Sequence, residues 1–189
     1  GRRPALRQGR RELTTSADRD DRERVRALLD LEEGRGPVAV LDDAGIDEVL
    51  RSARRIAVIG ASSNPARPSF GVFGTLIRAG YDCVPINPNE TEILGRPAFA
   101  SLTDAVEATG RFDIVDVFRR SELCVPHAEE AVATGAGCLW LQLGVVSWEA
   151  ARIAADGGLA VVMDRCTAIE LGRMRRGDPS VRQTGGIAP

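Results

Sequence analysis

The chain has 189 residues, 43% apolar and 28% charged, which suits one α/β domain with a core of its own. Its 25 basic and 27 acidic residues leave a net charge of −2, so nothing global points to a nucleic acid or another charge-driven partner. Every one of the 25 basic residues is arginine, which excludes lysine-based chemistry such as a Schiff base.

Residues 1–12 hold five arginines and one acid without apolar periodicity. They read as a solvated arm, or as an arm that contacts a partner or nucleic acid. From Asp18 to Glu33 charges of both signs alternate around Val25, Leu28 and Leu29, the pattern of a mainly exposed helix ended by Gly34 to Pro37. Residues 1–36 are thus expected to form an arm and a helix, 37–176 a folded domain, and 177–189 a flexible tail.

Within the domain, Asp42 or Asp43 caps a short helix through about Ala53. Arg55 to Gly60 (RIAVIG) is a β-branched apolar run that stops at glycine, as a strand buried on both faces does. A helix follows from about Ser69 to Ala79, then a strand at 81–87. Next come a helix at 101–108 capped by Ser101, a strand at 112–118 and a helix at 122–134. A strand at 138–143, a helix from the Ser147 cap to about Asp156, a strand at 159–163 and a helix at 168–175 complete the order. Strands alternating with helices of this length predict βαβ units in a mainly parallel five-stranded sheet, doubly wound, with helices on both faces. Ligands of such sheets sit at the carboxyl ends of the strands where the winding reverses.

The loop after the first strand, Gly60-Ala-Ser-Ser-Asn-Pro-Ala-Arg-Pro-Ser69, suits that role. Gly60 permits a sharp turn. The following helix presents unpaired N–H groups and the positive end of its dipole. Ser62, Ser63 and Ser69 add hydroxyls, and Arg67 adds a charged donor fork. A dinucleotide fingerprint starting at Gly60 would need glycine at 62 and 65, where Ser62 and Pro65 stand. The acid that binds an adenosine ribose should follow the second strand, but Asn87-Pro88-Asn89 stands there and Glu90 is the first acid.

Five segments in order, VIGASSNPARPSFGV (58–72), VPINP (84–88), DIVDVFRRSE (113–122), LWLQLGV (139–145) and VVMDRC (161–166), resemble the small stand-alone CoA-binding proteins. These are similar to the CoA-binding domain of succinyl-CoA synthetase α subunits and of NDP-forming acyl-CoA synthetases. The resemblance runs from about Ile56 to Met174 and implies a Rossmann-like fold with coenzyme A along the strand ends. It implies that Gly60, Ala61, Ser62 and Ser63 hold the phosphates, and that Asn87 and Pro88 lie near the adenosine. Phe118, Arg119 and Arg120 would form the loop after the third strand; Gln142, Leu143 and Gly144 would form the loop after the fourth. Where the synthetases have a proline-rich third loop, this chain has Arg119-Arg120.

The chain offers little for catalysis. Its single histidine, His127, falls inside a helix and reads as structural or surface, so no Ser-His-Asp arrangement can be assembled. No cluster has metal-ligand spacing. Asp116 within the third strand reads as a structural ion pair, or as a bond to a nearby loop. The four cysteines, Cys83, Cys124, Cys138 and Cys166, form no CxxC pair and read as reduced, mostly buried thiols. Cys166, beside Arg165, is the one that could form a mixed disulfide with the thiol of coenzyme A. The N-terminal residues lack the apolar core of a signal peptide, and no apolar run approaches the roughly 18 residues of a membrane helix, so a cytoplasmic setting is expected. The leading expectation is a non-catalytic CoA or acyl-CoA binding protein, a carrier, sensor or regulator, with a small-molecule nucleotide partner, no nucleic acid and no membrane, and with room for a homo-oligomer. The alternatives are an NAD(P)-linked oxidoreductase or a partner-dependent ligase subunit, and an interaction protein whose nucleotide site has decayed.

Overall fold

The computed structural model describes residues 16–177; the expected arm at 1–12 and nearly all of the expected tail lie outside the described residues. The chain forms two units, one ending at Arg35 and one starting at Gly36. In the first, α1 (Ser16–Glu32) carries Val25 and Leu29 exposed. It closes where Gly34, at φ 63°, lets the Arg35 N–H reach the Asp30 carbonyl at 2.8 Å.

The second unit opens with α2 (Asp43–Ser52), whose cap is Asp42: its carboxylate accepts from the Gly45 N–H at 2.9 Å. Then follow β1 (Arg55–Ile59), α3 (Pro68–Arg78), β2 (Asp82–Ile86), a hairpin of β3 (Glu92–Ile93) and β4 (Arg96–Pro97), and α4 (Leu102–Thr109). The chain continues through β5 (Ile114–Val117), a 3-10 turn at Ser121–Leu123, α5 (Val125–Ala133), β6 (Cys138–Leu141), α6 (Trp148–Asp156), β7 (Ala160–Val162) and α7 (Thr167–Gly177). The main sheet is all-parallel in the order β2-β1-β5-β6-β7. This is the doubly wound, Rossmann-like α/β architecture expected from the strand–helix alternation, and its winding reverses between β1 and β5.

Both faces of the sheet are covered. Side chains alternate along each strand. Ile56, Val58, Cys83, Ile114, Cys138, Trp140 and Val162 join Ile46, Leu50, Phe73, Leu76 and Leu171 in one cluster, which packs α2, α3 and α7 against that face. The alternate residues, among them Ala57, Ile59, Val115, Val117, Leu139 and Leu141, are equally buried. The small residues Ala105, Ala128, Ala131, Ala150, Ala151 and Ala154 let α4, α5 and α6 pack closely. The sheet edges are also occupied: Phe99 bridges to Ile86 beside β2, and the Leu41 N–H donates to the Val161 carbonyl of β7 at 2.9 Å.

Two details depart from the sequence reading. The helix expected at 122–134 is split, because Pro126 can stand only in the first turn of α5, and Ser121–Leu123 form a separate 3-10 turn. The β3–β4 hairpin was not anticipated. Its two turn residues, Leu94 and Gly95, both have positive φ (49° and 75°), and a leucine in that role gives no turn signal.

Candidate functional site

The site is built at the reversal of the winding. Gly60 ends β1 at φ 77°, and its N–H donates to the Ile86 carbonyl of β2 at 2.9 Å. On the other side, the Phe118 N–H donates to the Ile59 carbonyl at 2.8 Å. A Cβ at position 60 would run into the Phe118 carbonyl oxygen. Glycine is therefore required twice, by its left-handed φ and by the close approach of the loop after β5. The two loops are thereby fixed side by side.

Beyond Gly60 the first loop is held by its own polar groups. Ala61 is buried, and its carbonyl accepts from the Asn87 Nδ2 at 2.7 Å, which ties this loop to the one after β2. Ser62 Oγ accepts from the Asn64 N–H, Asn64 Oδ1 accepts from the Ala66 N–H, and the Arg67 N–H returns to the Asn64 carbonyl. This asparagine-centred turn leads to Pro68 at the start of α3. The α3 N-terminus has no side-chain cap and no acidic residue in its first turn, so its dipole is left uncompensated.

Ser63 is exposed and already engaged. Its N–H and its hydroxyl both donate to Glu90 Oε1, at 2.9 and 3.0 Å. These bonds, the backbone one foremost, hold the Glu90 carboxyl below its ordinary pKa, so it is ionised at neutral pH. Glu90 is the first acid after the second strand. The turn at Asn87-Pro88-Asn89 brings it back.

The loop after β5 carries Arg119 and Arg120, both exposed. Arg120 pairs with Glu122 at 3.2 Å. Among the described residues no carboxylate lies within 4.0 Å of the guanidinium of Arg119 or of Arg67. His127, in the first turn of α5, is half-buried. Burial first, and Arg119 second, lower its pKa, so the imidazole is neutral at neutral pH.

The loop after β6 is tied to both neighbours. The Val146 N–H donates to Ser121 Oγ at 3.1 Å, and the Gly144 N–H donates to Asp164 Oδ1 at 2.6 Å. Gly144 has φ 80° with open space where a Cβ would stand, and Asp164 itself holds φ 54°. Leu143 is 62% exposed.

The residues singled out from the sequence thus divide. Gly60, Ala61, Ser62, Ser63, Arg67, Asn87, Phe118 and Arg119 gather at the reversal point, with Pro88 and Arg120 exposed in the same loops. Leu143 and Gly144 lie in the next loop. Ser69 is buried in α3 at 4% exposure. Gln142 is also 4% exposed, and its amide is used inside the protein. Its Nε2 donates to both carboxylate oxygens of Asp116, at 2.8 and 3.0 Å, and to Thr167 Oγ1 at 2.8 Å, while the Thr167 hydroxyl donates to Asp116 Oδ2 at 3.0 Å. Among the described residues Asp116 has no ion-pair partner: two neutral donors satisfy it, and burial raises its pKa to about 7.

Cys83, Cys124 and Cys138 are buried free thiols, and burial pushes them to about 12, 11 and 12. Cys166 is a half-buried free thiol packed against the core cluster. Glu90, Asp164 and Thr167 were not singled out from the sequence. Their roles depend on loops far apart in the chain meeting at one edge.

A cavity of about 230 Å³ lies at the opposite end of the sheet, between Val49, Ser52, Ala53, Asp113, Gly137 and Cys138. Its carboxylate, Asp113, accepts from the N–H groups of Arg54 and Arg55, so that cavity does not suit an anion. Among the described residues no group of three or more His, Cys, Asp or Glu could hold a metal ion, and no helix is long and apolar enough to cross a membrane.

The family described as CoA binding domain matches residues 54–172. A Bacillus subtilis relative, the uncharacterized protein YneT, is 42% identical over 126 residues, covering 67% of this chain and 91% of that protein. A hypothetical protein from Pyrococcus horikoshii superposes with a TM-score of 0.67 at 34% identity, covering 71% of this chain and 92% of that one. A Thermus thermophilus structure does so with a TM-score of 0.65 at 35% identity, covering 71% and 99%.

Proposed function

Because the chain belongs to the CoA-binding domain family, we propose that it binds coenzyme A or an acyl-CoA in the crevice between the loops after β1 and β5, as a carrier, sensor or regulator without a catalytic role of its own. The observation that carries the reading is that Arg67, at the start of α3, and Arg119, in the loop after β5, are both exposed and have no carboxylate partner among the described residues, while the α3 N-terminus is left uncompensated. Two exposed cations from loops far apart in the chain favour a ligand with several negative charges. The residues present fit that ligand. Ser62, Ser63 and the α3 N-terminus supply donors for a pyrophosphate. Gly144 leaves room for backbone approach, and exposed Leu143 offers apolar contact to the pantetheine arm. Four free thiols suit the reducing cytoplasm as its setting.

A thermal-shift panel of CoA, acetyl-CoA, NAD, NADP and ATP tests the reading. A ligand that binds only the native state stabilises it by about 2.7 kcal/mol at a hundredfold excess over Kd. CoA and acetyl-CoA are expected to raise the melting temperature most. Stabilisation by NAD and not by CoA overturns the reading in favour of an oxidoreductase, and no response to any ligand favours an interaction protein.

A further inference from the structure

Resting on the coenzyme A reading, we propose that Glu90 is a displaceable occupant of the phosphate seat: its carboxylate holds the Ser63 donors in the free protein and gives them up to a ligand phosphate. Three observations carry this. First, one oxygen, Glu90 Oε1, accepts both the N–H and the hydroxyl of Ser63, the convergent donor pair that a phosphate oxygen would take. Second, the carboxylate is not needed to shape its own loop. The Glu90 N–H returns to the Asn87 carbonyl at 3.2 Å, and Asn87 Oδ1 accepts from the Asn89 N–H at 3.0 Å, so backbone and Asn87 set the turn. Third, among the described residues no arginine is in salt-bridge range of Glu90, so its departure exchanges hydrogen bonds for water without breaking an ion pair.

The arrangement selects among anions. A lone carboxylate or other monoanion that replaces Glu90 at Ser63 gains what Glu90 loses. A pyrophosphate brings further charges for the α3 N-terminus and for the exposed arginines of the two loops, and such a ligand gains on exchange. Glu90 thereby lowers affinity for every anion at this seat and leaves a net preference for those with several charges.

Titration calorimetry on the full chain tests this with two probes, coenzyme A and inorganic pyrophosphate, on wild type, Glu90→Gln and Glu90→Ala. Thermal melts confirm that both variants fold. Both variants are expected to bind both probes about fivefold tighter, the weight of one like charge at close range in water, with the gain shrinking at high salt. Equal or weaker binding by the variants, where wild type binds coenzyme A, overturns the proposal and makes Glu90 a ligand-holding or purely structural residue. If no protein binds coenzyme A, that reading fails by itself, and pyrophosphate decides the role of Glu90. Tighter pyrophosphate binding by the variants then supports the proposal, and equal or absent binding overturns it.

Discussion

Asp116 sits in the middle of β5 with no exposed surface and, among the described residues, no ion-pair partner. Donors from Gln142 and Thr167 favour its charged form, but burial outweighs them and raises the carboxyl from 3.8 to about 7. An acid whose pKa is raised by folding contributes stability that is fully present below its unfolded pKa and is lost as pH rises through its folded pKa. Wild type should therefore lose stability between about pH 4 and pH 7, by an amount on the order of a few kcal/mol. Asp116→Asn keeps the shape and removes the titration, and the Gln142 amide can turn its oxygen toward the new donor. Urea melts across this range should show a flatter pH profile for the variant, and a higher stability than wild type above about pH 7. A variant that tracks wild type at every pH would show that Asp116 stays ionised throughout. The same burial explains why Gln142, read from the sequence as a ligand contact, is used inside the protein.

At the scale of elements, α7 is fastened to α2 by charge as well as by packing. Glu170, 6% exposed at its side chain, receives Arg165 at 3.0 Å and Arg173 at 2.7 Å. Arg173 also reaches Asp47 on α2 at 2.6 Å, and Arg165 reaches Asp43 at 3.2 Å. Removing one arm leaves a buried carboxylate half-satisfied, which costs more than an exposed ion pair is worth. Arg173→Ala should destabilise the domain by about 1–3 kcal/mol in chemical denaturation. A loss within error would show that Arg165 alone satisfies Glu170. The caps Ser101 and Ser147 were legible in the sequence, and the first was narrowed to Asp42 or Asp43, because a cap acts within three residues: Asp42, Ser101 and Ser147 each accept from the N–H three positions on. The α2–α7 network was not legible, since Asp47 and Arg173 belong to opposite ends of the domain.

For the whole molecule, the winding order brings the first and third βα loops together where Gly60 meets Phe118, and Arg67 and Arg119 belong to these two loops. Neither side chain makes a hydrogen bond or salt bridge among the described residues, so replacing either should leave the melting temperature nearly unchanged. Arg67→Ala and Arg119→Ala should each weaken coenzyme A about tenfold, the worth of one charge-assisted hydrogen bond. If either holds the 3′-phosphate, dephospho-CoA should suffer less than coenzyme A. Equal losses for the two ligands would exclude that role, and no loss for either would move the site away from these loops.

The sequence by itself determined the order of elements, the buried parallel strands and the glycine turn at residue 60, because each depends on apolar runs, caps and turn residues that act on near neighbours. It also carried the family, through five segments in register. Only the tertiary structure decided which loops share the crevice, that Gln142 turns inward to Asp116, and that Glu90 reaches back to Ser63. Those contacts join residues brought together by strand pairing and turn geometry, and a side chain's partner across that distance is set by the completed fold.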